Sequence, residues 1–141
     1  MVAAINNRLG VAIADSGAYK TVMDLRMAEA YGLTVRRAVS GDCGRYSVPG
    51  SGVEHDYAGV VESPFVMRLG ERVAFTLTGM RVIEHPFALF LMGADVMCGG
   101  RDGPSWNYEG LTIRTEKGRV TGSVHFRNGD VTESIPLVQA A

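Results

Sequence analysis

Two stretches of this chain set an aspartate where it can do chemistry. In the first, the apolar run Val11-Ala12-Ile13-Ala14 stops at Asp15-Ser16-Gly17-Ala18. In the second, Phe87-Ala88-Leu89-Phe90-Leu91-Met92 stops at Gly93-Ala94-Asp95. Each is an apolar strand that runs into a glycine turn beside a carboxylate. A carboxylate fixed at a strand end can take or give a proton during catalysis. Gly17 removes the side chain that would block close approach, and Ser16 offers a hydroxyl to a neighbouring backbone. Taken alone, Asp-Ser-Gly is common in turns, so its meaning depends on what surrounds it.

The other reactive residue types form no comparable constellation. His55, His85 and His125 are scattered, and none pairs with a cysteine or carboxylate at ligand spacing; they read as surface or packing residues, and no metal site or cofactor is expected. Cys43 and Cys98 are far apart, which argues against a disulfide framework and for a reducing, intracellular compartment. Gly50-Ser51-Gly52 follows Pro49 rather than an apolar strand, so it is not a hydrolase elbow. Asp24 stands before a helical pattern and reads as its N-cap. Trp106 and Tyr108 read as core or loop anchors.

The elements that must position the two aspartates are mostly β. A strand over Val2 to Ile5 turns at Asn6-Asn7 into the buried strand Val11 to Ala14. Asp24 caps a helix over Leu25 to Tyr31, with Leu25, Ala28 and Tyr31 on its apolar face, and Gly32 ends it. Leu33 to Val39 reads as a strand. Gly41 to Gly59 is rich in Gly and Ser, with a turn at Pro49-Gly50-Ser51-Gly52. Arg45 to Val48 and Val53 to Val61 on either side can pair as an exposed hairpin. Phe65 to Leu69 and Val73 to Leu77 flank Gly70-Glu71 as a second hairpin, and Met80 to Ile83 is a further strand. Phe87 to Met92 is expected as a central buried strand, followed by a short helix from Asp95 to Cys98 and an irregular loop from Gly99 to Gly110. Three β runs complete the chain: Leu111 to Thr115, Arg119 to Phe126 and Val131 to Val138. Their turns fall at Glu116-Lys117-Gly118 and Asn128-Gly129.

The 141 residues suit one domain, and 46% hydrophobic against 21% charged is a globular balance. Eighteen glycines imply many turns and hence a mainly β protein. A net charge of −1 with no basic stripe excludes nucleic acid and anionic membrane as natural partners. No apolar stretch is long enough to span a bilayer, and the start Met1 to Asn7 has neither the charge nor the apolar region of a signal peptide.

Taken in order, these elements have a known counterpart. An apolar strand into Asp15-Ser16-Gly17-Ala18, then a helix, a glycine-rich hairpin, and an apolar strand ending in Gly93-Ala94-Asp95 resemble the retropepsin family. These are the single-domain aspartic proteases of retroviruses, retrotransposons and their cellular relatives. The resemblance covers roughly residues 5 to 98. It implies a mainly β, closed barrel-like fold with one or two short helices, as a single domain over 1–141. In that fold about 41–59 would form a flap and about 99–141 a less typical C-terminal β tail. It makes Asp15 the catalytic residue, with Ser16, Gly17 and Ala18 supporting it and Ser16 bonding across to a partner chain. It places Pro49, Gly50, Ser51 and Gly52 at the flap, over an extended peptide or polyprotein substrate. Gly93 and Asp95 receive a structural role. Only one Asp-Ser-Gly motif is present, so the resemblance requires a homodimer in which Asp15 meets Asp15 of the partner. Two carboxylates ~3 Å apart share one proton, and one is then base while the other is acid. The implied activity is aspartic endopeptidase, with self-processing from a polyprotein and an acidic to near-neutral optimum. The alternative is a catalytically silent retropepsin-like module for peptide binding or dimerisation. Tyr19 stands where a smaller or polar residue is usual in the family, and Met92 where Leu or Ile is common.

Overall fold

A computed structural model describes residues 1–15, 17–48, 50–86, 89–98 and 106–138. Among them the chain is mainly β, with two short helices. The N-terminal strand β1 (Val2–Ile5) turns at Asn6 and Asn7, both at positive φ, into β2 (Arg8–Val11). β9 (Phe65–Leu69) and β10 (Val73–Leu77) complete the first sheet, in the order β10-β9-β1-β2. Inward residues alternate along this hairpin. Phe65, Met67 and Leu69 on one strand and Val73, Phe75 and Leu77 on the other are all buried, as half-buried strands require.

The second sheet holds six strands. These are β3 (Ile13–Ala14), β4 (Val22–Asp24), β5 (Arg36–Arg37), β8 (Gly59–Val61), β11 (Met80–Ile83) and β12 (Phe90–Met92), in the order β3-β12-β4-β11-β8-β5. β6 (Arg45–Ser47) and β7 (Glu54–Asp56) form a separate two-stranded hairpin. β13 (Asn107–Glu116), β14 (Arg119–Asn128) and β15 (Val131–Pro136) make the C-terminal sheet. Strand pairing among the described residues closes none of these sheets into a barrel.

Helix α1 (Leu25–Ala30) starts where the sequence placed its cap. Asp24 is only 1% exposed, and its carboxylate accepts from the backbone N–H of Arg26 (3.0 Å) and of His85 (2.9 Å) and from Arg26 Nε (3.1 Å). Burial alone would raise this carboxyl; the two N–H groups and the guanidinium overcome it and hold the group below its ordinary 3.8. A carboxyl depressed by folding stabilises the fold fully above its ordinary value, and that contribution is lost as the pH falls through the folded value. Asp24→Ala should therefore cost about 3 kcal/mol at neutral pH. Asp24→Asn should flatten the loss of stability below pH 3.8, read as urea midpoint against pH. At the other end of the helix, buried Tyr31 donates its hydroxyl to Ala3 O (2.9 Å) and packs edge-on against Phe90. α1 thereby ties the first sheet to the second.

The C-terminal sheet docks on the body at two points. Phe126 packs against Phe75 (centroids 5.6 Å apart) and Tyr108. Glu133 accepts from the backbone N–H groups of Glu71 (2.6 Å), Arg72 (2.8 Å) and Val73 (3.2 Å), saturating the turn between β9 and β10. One face of this sheet carries most of its apolar side chains, with Glu133 and Thr115 among them. A bulge at Glu109 brings Tyr108 and Leu111 onto it together, opposite Phe126 and Val124. Near the body this face is covered, with Phe126 and Val124 buried. Further out it is not: Leu111, Ile113 (61%) and Val120 stand in solvent.

Several sequence expectations shift. Leu33 to Val39 yields only the two-residue β5, and Val53 to Val61 divides between β7 and β8 in different sheets. The second helix, α2 (Ala94–Met97), is a single turn starting one residue early. Phe87 and Ala88 lie outside the described residues, as do 99–105, but Asn107 to Gly110 belong to β13 rather than to a loop. The expected buried strand Val11 to Ala14 is broken between β2 and β3, and only Ala12 in it is fully buried; Val11 and Ile13 point outward.

Candidate active site

Asp15 sits just past the end of β3, and the second aspartate motif holds it there. β12 runs parallel to β3, with Met92 opposite Ala14, and antiparallel to β4 on its other side. The pairing continues one step as the Asp15 N–H donates to Met92 O (3.0 Å). Gly93 then crosses the chain leaving Asp15. A Cβ there would lie 2.6 Å from Lys20 C and 2.9 Å from Ala18 O, so only glycine allows the crossing. The Ala94 N–H donates to Ala18 O (2.7 Å) and locks the two segments together.

Asp95 finishes the lock. Its Oδ1 accepts from Thr21 N (2.9 Å), Thr21 Oγ1 (2.7 Å) and Val96 N (3.0 Å). Thr21 Oγ1 in turn accepts from the Gly93 N–H (3.0 Å). Thr21 is almost fully buried. The Asp15 segment is thus pinned at Met92 before the turn, and at Ala94 and Asp95 after it.

The Asp15 carboxylate itself is exposed. Oδ1 accepts from the Gly17 N–H (3.0 Å), and the Ala18 N–H donates to Asp15 O (3.1 Å). A Cβ on Gly17 would sit 3.2 Å from that oxygen. A rigid backbone presenting a solvent-facing carboxylate can exchange protons with a bound water or substrate. Ser16 lies outside the described residues. Tyr19, 88% exposed, stands beside the site.

The β6–β7 hairpin carries the expected glycine turn. Pro49 lies outside the described residues; Gly50 and Gly52 both have positive φ, and the Ser51 hydroxyl donates to Val48 O (2.8 Å). Arg45 pairs with Glu54 and Asp56 across the hairpin, and Tyr46 stacks on His55. Val48 and Val53 are exposed near the tip.

An uncovered apolar surface adjoins Asp15. Val11 and Ile13, both about half exposed, lead up to it along β2 and β3. A groove of about 360 Å³ separates them from Leu111, Leu137 and Val138 of the C-terminal segment. Sequence reasoning missed this surface, because an outward apolar residue in a strand looks like an inward one. It also missed Thr21, whose only signal is a β-branched hydroxyl at the start of β4.

No family profile and no curated protein matches the chain. Among solved structures it is similar to the retroviral protease-like domain of Ddi1 from Leishmania major, at 27% sequence identity and a TM-score of 0.41. The match covers 67% of this chain and spans 65% of the length of that one. No helix among the described residues is long and apolar enough to cross a membrane.

Proposed function

We propose that the chain is an aspartic endopeptidase that acts as a homodimer, each copy contributing Asp15 to one shared site. One juxtaposition carries this reading. An exposed carboxylate on a pinned backbone lies at the edge of an apolar surface that none of the described residues covers. A second copy meeting the first on that surface brings the two carboxylates together. One of them removes a proton from water as it attacks the peptide carbonyl. The other protonates the carbonyl oxygen, and collapse of the tetrahedral intermediate delivers a proton to the leaving amine. The β6–β7 hairpin closes over the peptide and bonds its backbone, as an added strand would. Ser16 supports the site across the dimer, and Pro49, Gly50, Ser51 and Gly52 form the tip that closes. Release from a larger polyprotein by the same cleavage is part of this reading through the retropepsin resemblance.

Incubation with a peptide library at several pH values, beside Asp15→Asn, tests the reading. Cleavage by the parent alone supports it; identical behaviour of the two proteins leaves a peptide-binding or dimerisation module. Asp95 should act as a positioning residue. Asp95→Ala releases Thr21 and is expected to lower kcat about 100-fold with little change in KM. Asp95→Asn keeps the acceptor oxygen and should recover much of the loss. Faster amide exchange at Thr21 and Gly93 in Asp95→Ala would accompany it, and unchanged exchange would contradict the pinning role.

A further inference from the structure

A cavity of about 370 Å³ opens between the base of the β6–β7 hairpin and the chain leaving Asp15. Lys20, Thr21 and Asp95 line one side of it; Arg45, Tyr57 and Arg81 line the other. Its charges are unevenly spent. Arg45, at the rim, is already paired with Glu54 and Asp56. Asp95 has one oxygen occupied by Thr21 and Val96 but keeps its negative charge, one carboxylate in a lining that also holds Lys20, Arg45 and Arg81. Arg81 is different. It is half-buried, and its Nε and Nη1 donate to the backbone carbonyls of Cys43 and Gly79, both at 2.9 Å.

Those two bonds fix the guanidinium without neutralising it. Among the described residues Arg81 makes no ion pair; Arg8, Arg68, Arg72, Arg114 and Arg119 make none either, but all five are exposed and Arg81 is half-buried. A partly desolvated, unpaired cation is costly unless something anionic completes it. Lys20, exposed and free of any hydrogen bond or ion pair among the described residues, supplies a second charge. An oriented guanidinium with a mobile ammonium beside it is a receptor for a carboxylate.

We propose that this cavity is a specificity pocket for an acidic side chain of the peptide substrate, read by Arg81 and Lys20. The proposal rests on the reading of the chain as a peptide-cleaving enzyme. Lys20 is five residues beyond Asp15 on the same pinned segment, and Arg45 belongs to the hairpin. A peptide held extended between them presents alternate side chains to one wall, and the pocket lies in that wall. The volume accepts one glutamate or aspartate side chain with a few waters.

The test uses the full-length Asp15→Asn protein and fluorescent peptides that differ only by Glu or Gln at each position in turn, with cleavage by the parent measured alongside. At one position Glu should bind about tenfold more tightly than Gln. The preference should shrink at least threefold in Lys20→Gln, vanish in Arg81→Gln and weaken with salt. Arg81 also braces two loops, so Lys20→Gln, whose side chain supports nothing, decides the matter if Arg81→Gln fails to fold. Equal binding of Glu and Gln peptides everywhere, no binding by any peptide, or a preference that Lys20→Gln leaves intact would overturn the pocket. Selective Glu binding without cleavage by the parent would instead overturn the enzyme and keep the pocket.

Discussion

Asp15→Asn is expected to abolish peptide cleavage while leaving the fold unchanged. The amide has the shape of the carboxylate and keeps an acceptor oxygen for the Gly17 N–H. The backbone bonds to Met92 and Ala18 do not involve the side chain at all. Within one copy the group is exposed, so replacing it creates no cavity. The lost capacity is proton transfer, and in a paired site one substitution disables both partners. A fall in kcat/KM of at least about 10³-fold is expected. The melting temperature, measured beside it, should move little. Cleavage retained at the parental rate would remove Asp15 from the mechanism.

The second large effect should come from the C-terminal sheet. Ile113→Glu puts a charge in the middle of the uncovered part of the C-terminal sheet face. Ile113 touches little of its own chain, being 61% exposed, so the monomer should stay folded. If a second copy covers that face, the substitution buries an unpaired carboxylate and loses an apolar contact. The dimer dissociation constant should then rise about 100-fold or more. Sedimentation at micromolar concentration would report a monomer, and cleavage would vanish with it. Thr121→Glu, on the opposite face and paired with Arg114 in register, is the control and should leave both unaffected. An Ile113→Glu protein that is still dimeric and active would place the interface elsewhere.

How much of this was legible in the residues depends on range. Local chemistry was readable. The Asp24 cap, the turn at Asn6-Asn7, the hairpin around Gly70 and the two C-terminal turns all depend on neighbours a few positions away, and all were expected. Both aspartate motifs were visible as strand-turn units; in the structure Asp95 bonds Thr21 and Gly93 lies against Lys20 and Ala18. What brought them together was not visible, because Thr21 has no distinctive pattern until Asp95 arrives from elsewhere. Val11 to Ala14 failed in an instructive way. Its apolar residues fall on both sides of the strand, a pattern normally produced by burial on both sides. Among the described residues the outer side, Val11 and Ile13, is about half exposed. Of the strand expected between Leu33 and Val39 only Arg36 and Arg37 pair, at the edge of the second sheet, where Arg36 also bonds Asp42 and Glu62 and Arg37 bonds Glu84. Arg81 was invisible for a similar reason. An arginine in a strand is unremarkable until its neighbours prove to be carbonyls rather than carboxylates.

The lock around Asp15 also bears on when the site can exist during synthesis. Thr21 and Asp95 are 74 positions apart, and the strand that receives the Asp15 N–H lies just before Asp95. Closing a loop of that length is slow compared with forming the local hairpins. A chain emerging from the ribosome can make α1 and the β9–β10 hairpin well before Asp15 has any fixed position. The backbone on either side of it is held only after the second motif has been made, so a shortened chain lacking residues beyond 92 would carry the aspartate without the bonds from Ala94 and Asp95.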